Sequence, residues 1–176
     1  MERFGAGAPY RRMDGTVRFA DWHGSWPRRP PKIYSAGMGA WGEGPFDNDT
    51  AGDWVFQFEQ ADQASGLNHI EAALAGAAGV GPDDYLDSDA GVEALAAAEL
   101  VAAMRGVAVE RSPYNEHAID WVARTSPVAD QALVDLASSA LDRVVAANSE
   151  LAQLWDEAES TSWRGSVEAR KASIAR

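Results

Sequence analysis

From about residue 49 onward one pattern repeats along the chain. Apolar positions recur at helical spacing, and Gly, Pro, Ser, Asn or Asp separates each run from the next. Trp54, Val55 and Phe58 can share one helical face behind the capping residues Asp47, Asn48 and Asp49, which predicts a first helix over 49–61. Gly66 breaks the chain. Leu67, Ile70, Ala73 and Leu74 then predict a second helix over 66–78, closed by Gly79, Gly81 and Pro82. The acidic stretch Asp83–Asp89 reads as a loop or short turn. The most apolar run, Ala94–Met104, predicts a third helix over 89–105, and its small side chains let neighbouring helices approach, so it is expected at the centre. Gly106 suits its C-terminus, and Val107–Val109 reads as a short extended piece.

Ser112-Pro113 and Ser126-Pro127 read as cap-then-proline starts of helices over 113–124 and 127–147. In the latter, Leu133, Leu136, Ala137, Ala140, Leu141, Val144 and Val145 trace one stripe. Asn148-Ser149 ends that helix and caps a sixth, carrying Leu151, Leu154 and Trp155. Trp163 and Val167 open a last, frayed helix ending in Arg170, Lys171 and Arg176. With no repeat and no strand run, the expected class is all-α: a compact bundle of about six to seven helices with a Gly-rich N-terminal loop.

Residues 1–37 do not share the pattern. Gly, Pro and Arg dominate, as in Pro27-Arg28-Arg29-Pro30-Pro31, and no period is sustained. They read as a disordered tail or an upstream stretch added by a misplaced start codon; the sharper alternative, resting on Trp22 and Trp26, is a basic aromatic arm. Charge draws the same boundary. Residues 1–37 hold seven Lys and Arg against three Asp and Glu, a net of +4, whereas residues 38–176 hold eight against 24, a net of −16. The organisation expected is a basic tail at 1–37 and a single acidic helical domain at 38–176.

Such a field repels phosphate backbones, so nucleic acid is not the expected ligand and a cationic protein partner fits better. No apolar run approaches the ~20 residues that span a bilayer, so no membrane association is expected. The absence of cysteine removes disulfides and thiolate metal sites. It suits a reducing compartment, and Met1–Pro9 lack the apolar core of a secretory signal. The cytoplasm is the expected location.

The densest segment is Gly39-Ala-Trp-Gly-Glu-Gly-Pro-Phe-Asp-Asn-Asp49, followed by Ala51 and Asp53-Trp54. It resembles the opening of an uncharacterised bacterial family labelled domain of unknown function 4259. Ala96-Ala-Ala-Glu-Leu-Val-Ala-Ala103 is similar to that family's alanine-rich helix with its single glutamate, and Ser149-Glu-Leu151 with Leu154-Trp155 resembles its closing helix. The resemblance covers about 38–170 and implies no activity.

Several chemistries can be weighed on spacing. Counted from Asp47, a calcium-binding loop needs an oxygen ligand at position 5 and glutamate at position 12, where Ala51 and Phe58 stand. A phosphate-cradling loop needs Gly-Lys-Ser/Thr where Pro45-Phe46-Asp47 stands. His23, His69 and His117 are scattered, so no zinc site is expected, and no Gly-x-Ser-x-Gly elbow occurs. No metal and no cofactor is therefore expected.

Asp47, Asp49 and Asp53 remain candidates for acid–base or looser metal work, against the plainer role of helix capping and negative charge at a helix N-terminus. Glu99 is the only charge between Ala94 and Met104. It is either a general acid or base with a raised pKa or an acceptor for backbone N–H groups or an arginine such as Arg143. Trp41, Phe46, Asn48 and Trp54 are the candidate ligand-binding residues; Trp41, Trp54, Trp121, Trp155 and Trp163 are also expected to anchor the core. The favoured function is a non-enzymatic, immunity-like or regulatory interaction domain. The alternative is a hydrolase-type enzyme or small-ligand domain using Glu99 with Asp47, Asp49 and Asp53.

Overall fold

The computed structural model describes residues 42–176, so the expectations for residues 1–37, Gly39 and Trp41 fall outside the described residues. Seven helices follow in order: α1 (Asp49–Val55), continued by a 3-10 turn (Phe56–Phe58), α2 (Gln63–Ala78), α3 (Ser88–Met104), α4 (Glu116–Thr125), α5 (Gln131–Val144), α6 (Glu150–Glu157) and α7 (Thr161–Ile174). The described residues contain no strand. A parallel bridge joins Leu86 and Ser149. The class is all-α, as the periodicity implied.

Helix α3 is the axis. Gly91, Val92 and every residue from Ala94 to Ala102 are buried, and all of them except Glu99 are small or apolar. Helices α2 and α5 pack on it and on each other, while α1, α4, α6 and α7 cover its remaining faces. One continuous apolar cluster runs from Phe46 to Ile174.

Four helix starts share one device: a side-chain oxygen takes an orphan N–H of the first turn. Asn48 accepts from Ala51 N at 2.7 Å, Asp62 from Ser65 N at 2.7 Å, Asp87 from Ala90 N at 2.9 Å and Asp130 from Leu133 N at 2.9 Å. The expected serine caps do not form. The Asn115 carboxamide accepts from Ser112 N at 2.8 Å and donates to the Glu110 carbonyl at 2.8 Å, so the chain turns there and α4 begins only at Glu116. Ser126 adopts a left-handed conformation, φ 46°, that stops α4. Helix α5 then starts later, from Asp130. The last helix is also regular rather than frayed, because Trp163, Val167 and Ile174 are buried against the body. Val107–Val109 forms no strand.

Polar ties fix the long α2–α3 loop. Arg143, itself buried, donates to the carbonyls of Val80, Asp84 and Asn148. The Asn148 amide donates to Pro82 O and Asp84 O, each at 2.7 Å. The loop's carboxylates are thereby held at the surface by contacts to its backbone.

Gly66 marks the tightest helix contact. A Cβ there would lie 2.3 Å from the Trp121 ring, which is fully buried and donates its indole N–H to Asp62 O at 3.0 Å. At Gly76, on the same helix, a Cβ would meet nothing within 4 Å. Gly66→Ala is therefore expected to destabilise the domain by about 1–3 kcal/mol through overpacking, whereas Gly76→Ala stabilises it by about 0.5–1 kcal/mol. Urea unfolding of the two variants checks both signs.

Candidate functional site

The one carboxylate inside α3 is bound by an arginine. Glu99 Oε2 lies 2.6 Å from Arg170 Nε, and Arg170 Nη2 donates to Glu99 Oε1 at 2.6 Å, a fork-to-fork pair between α3 and α7. The Glu99 side chain is only 8% exposed, so the pair seals its charge from water on the protein side. Arg170, and not Arg143, is the arginine that partners Glu99; Arg143 is committed to loop carbonyls instead. Burial pushes the Glu99 carboxyl above its ordinary range, opposed by the charge and hydrogen bond of Arg170.

The Gly-rich segment lies over this pair. Glu43 accepts from Ser160 Oγ at 2.6 Å and Ser162 Oγ at 2.9 Å, tying the segment to the start of α7. Asp47 folds back and accepts from Gly44 N at 3.1 Å. A Cβ on Gly42 or Gly44 would lie 2.3 or 2.7 Å from that carboxylate, so a larger residue at either position would displace the Asp47 side chain. Two cavities meet at the ion pair and share Pro45, Glu99 and Arg170. The smaller, about 100 Å³, has an apolar wall of Leu95, Leu141, Trp163 and Val167. The larger, about 570 Å³, is bordered by Phe46, Asp47, Glu110 and Asn115.

The sequence candidates separate on this map. Glu99 and Asp47 border the same cavity, together with Phe46. Asp49 and Asp53 are exposed on α1 and border none of the cavities described here. Asn48 is buried as the α1 cap. Trp54 is buried, stacked on His69 with ring centroids 4.6 Å apart and meeting Phe58 edge-on at 5.1 Å. No group of three or more His, Asp or Glu among the described residues is arranged to hold a metal.

Two functional-looking groups escaped the sequence reading. Glu43 was visible only as one acid among glycines; its serine partners lie more than a hundred residues away. Glu93 also has a raised carboxyl pKa, first from burial, with His69 opposing and Asp89 and Asp87 adding to it. Asp87 and Asp89 are its neighbours in sequence, whereas only folding brings His69 beside it.

The family model described as Domain of unknown function (DUF4259) matches residues 39–166. The chain belongs to that family. Neither a curated protein nor a solved structure matches it. The match takes in the Gly-rich segment, all of α3 with Glu99, and the first turns of α7. Arg170 lies just past it. The name of the DUF4259 domain carries no activity, so the geometry has to speak for itself.

The pH behaviour of Glu99 follows from its raised pKa. A carboxyl that holds its proton more tightly folded than unfolded stabilises most below the unfolded value and loses that contribution as pH rises through the folded one. The stability of the wild-type domain relative to Glu99→Gln is therefore expected to fall as pH rises above the ordinary glutamate range. Exposed Asp62, Asp120 and Asp156, whose pKa values are lowered chiefly by hydrogen bonds from Ser65, Arg111 and Arg164, are present in both proteins and cancel in this difference. Thermal melts of the two proteins from pH 4 to 8 measure it.

Proposed function

We propose that this domain is a non-enzymatic interaction module whose acidic surface meets a cationic protein. The observation that carries the reading is where its basic side chains go. Residues 42–176 hold eight basic and 24 acidic side chains. Arg111, Arg164, Arg170 and Lys171 pair with Asp120, Asp156, Glu99 and Asp142. Arg143 and Arg124 are spent on backbone carbonyls, the latter those of Phe58 and Ala61. Most of the carboxylates are thus left facing solvent without a counter-charge, and the field outside is strongly negative.

Acid–base catalysis is the poorer reading. Both oxygens of Glu99 are taken by Arg170, and Asp49 and Asp53 stand on the surface away from it. Polyanionic nucleic acid and anionic membrane surfaces have the wrong sign for this field. No helix among the described residues is long and apolar enough to cross a membrane. The proposal places the module in the cytoplasm of a bacterial cell, in keeping with a chain free of cysteine.

The test is affinity capture from the native host on the immobilised full chain, followed by titration of the purified proteins. The expected result is a basic protein that binds stoichiometrically and loses affinity about tenfold or more between roughly 0.05 and 0.5 M salt. Capture of nothing stoichiometric, or binding indifferent to salt, contradicts the proposal.

A further inference from the structure

The space beside the Glu99–Arg170 pair has two chambers of different character. The larger, about 570 Å³, falls in the range of small-molecule sites, roughly 300–1,000 Å³. Its walls come from four separate parts of the chain: the Gly-rich segment, α3, the stretch 108–115 and the distal part of α7. Buried Phe46, Glu99 and Asn115 all border it, so it reaches inward from the surface. The smaller chamber, about 100 Å³, shares Pro45, Glu99 and Arg170 with it and is faced by Leu95, Leu141, Trp163 and Val167. A polar chamber beside an apolar recess suits an amphipathic small molecule.

The charges decide the sign of that molecule. Asp47, Glu99 and Glu110 border the larger chamber against one cation, Arg170, which is already engaged by Glu99 through Nε and Nη2. An anion would therefore meet repulsion there. Glu99 also has room for a second donor, because each of its oxygens takes one N–H from Arg170 and a carboxylate oxygen accepts two. Burial holds the Glu99 carboxyl above its ordinary range even against the charge of Arg170, so that guanidinium does not fully offset the buried charge. A bare metal ion would gain nothing from the apolar recess, and the carboxylates among the described residues are not arranged to hold one. An organic cation uses both chambers.

We propose that this cavity binds an alkylammonium group, with the ammonium among Asp47, Glu99 and Glu110 and a compact apolar tail against Leu95, Leu141 and Trp163. An ammonium has three N–H donors to divide among carboxylates that come from three segments. The buried Phe46 ring in the wall favours a cation as well. A recess of about 100 Å³ suits a tail of about four to six carbons, since a dry cavity of about 150 Å³ holds benzene. No element has to leave, because the space is present with α7 in place. The group recognised is the same whether a free amine carries it or, on the cationic-partner reading above, a lysine of the partner does.

Calorimetric titration of the full chain with n-pentylamine tests this, with n-pentanol, pentanoate and ethylamine as comparisons. Saturable one-to-one binding with a Kd below about 1 mM is expected. Pentanol and pentanoate lack the ammonium and ethylamine lacks the tail, and each is expected to bind at least about tenfold more weakly. Glu110→Gln, an exposed change that leaves the buried pair intact, is expected to weaken pentylamine about threefold or more. Amide shifts in NMR spectra locate the ligand and are expected at Phe46, Asp47, Glu99, residues 108–115 and Arg170. The proposal is overturned by any of four results: no saturable binding up to about 10 mM, equal binding of pentylamine and pentanol, a Glu110→Gln affinity equal to wild type, or shifts scattered over the exposed acidic residues. Nα-acetyl-lysine methylamide identifies the source of the group once pentylamine binds. Tighter binding than pentylamine assigns the cavity to a partner's lysine, and weaker binding assigns it to a free amine. These titrations use the purified chain alone, so their failure leaves the cationic-partner reading standing.

Discussion

A carboxylate on the buried face of a helix needs a cation, backbone donors or a proton to offset its burial, and here it meets a cation. That constraint orders this fold. Helix α3 is small-sided from Ala96 to Ala98 and apolar again from Leu100 to Ala102, so α2, α5 and α7 can close around it. Glu99 interrupts the run. Placing Arg170 against it fixes where α7 lies, and α7 in turn is tied to the Gly-rich segment through Ser160, Ser162 and Glu43. The cavities beneath Pro45 are where this closure is imperfect.

The same economy of charge shapes the surface. With four cations in ion pairs and Arg143 and Arg124 bound to carbonyls, few positive groups remain to mask the acidic side chains. Exposed ion pairs such as Arg111–Asp120 contribute little stability, because solvent screens them. The placement matters more for the outward field than for the fold. An acidic exterior and a basic covering helix are two sides of one arrangement.

Much of the fold was legible because it depends on local rules. The stripe Leu133–Val144, the small residues of Ala94–Ala102 and the caps near Asp47–Asp49 each imply their helix from neighbours alone. The errors fall where a distant group wins. Ser112 and Ser126 looked like caps, but the Asn115 carboxamide and a left-handed turn reset both starts. The last helix seemed frayed because Trp163 and Ile174 meet surfaces far away in sequence. At the site, Glu99 was conspicuous from its apolar run, yet its partner lay 71 residues on and could not be chosen among the arginines. Glu43 gave no periodic signal at all. Asp47 and Phe46 were singled out by composition, and folding does bring them to the cavity that Glu99 borders.

The central claim is that Glu99 and Arg170 act as one unit inside the bundle. A double-mutant cycle with Glu99→Gln, Arg170→Met and the pair together, read by urea unfolding at pH 7, measures it directly. The account predicts a coupling of about 1–3 kcal/mol, with the double variant recovering much of the stability that either single change loses. Additive losses, with a coupling within about 0.5 kcal/mol of zero, would contradict it.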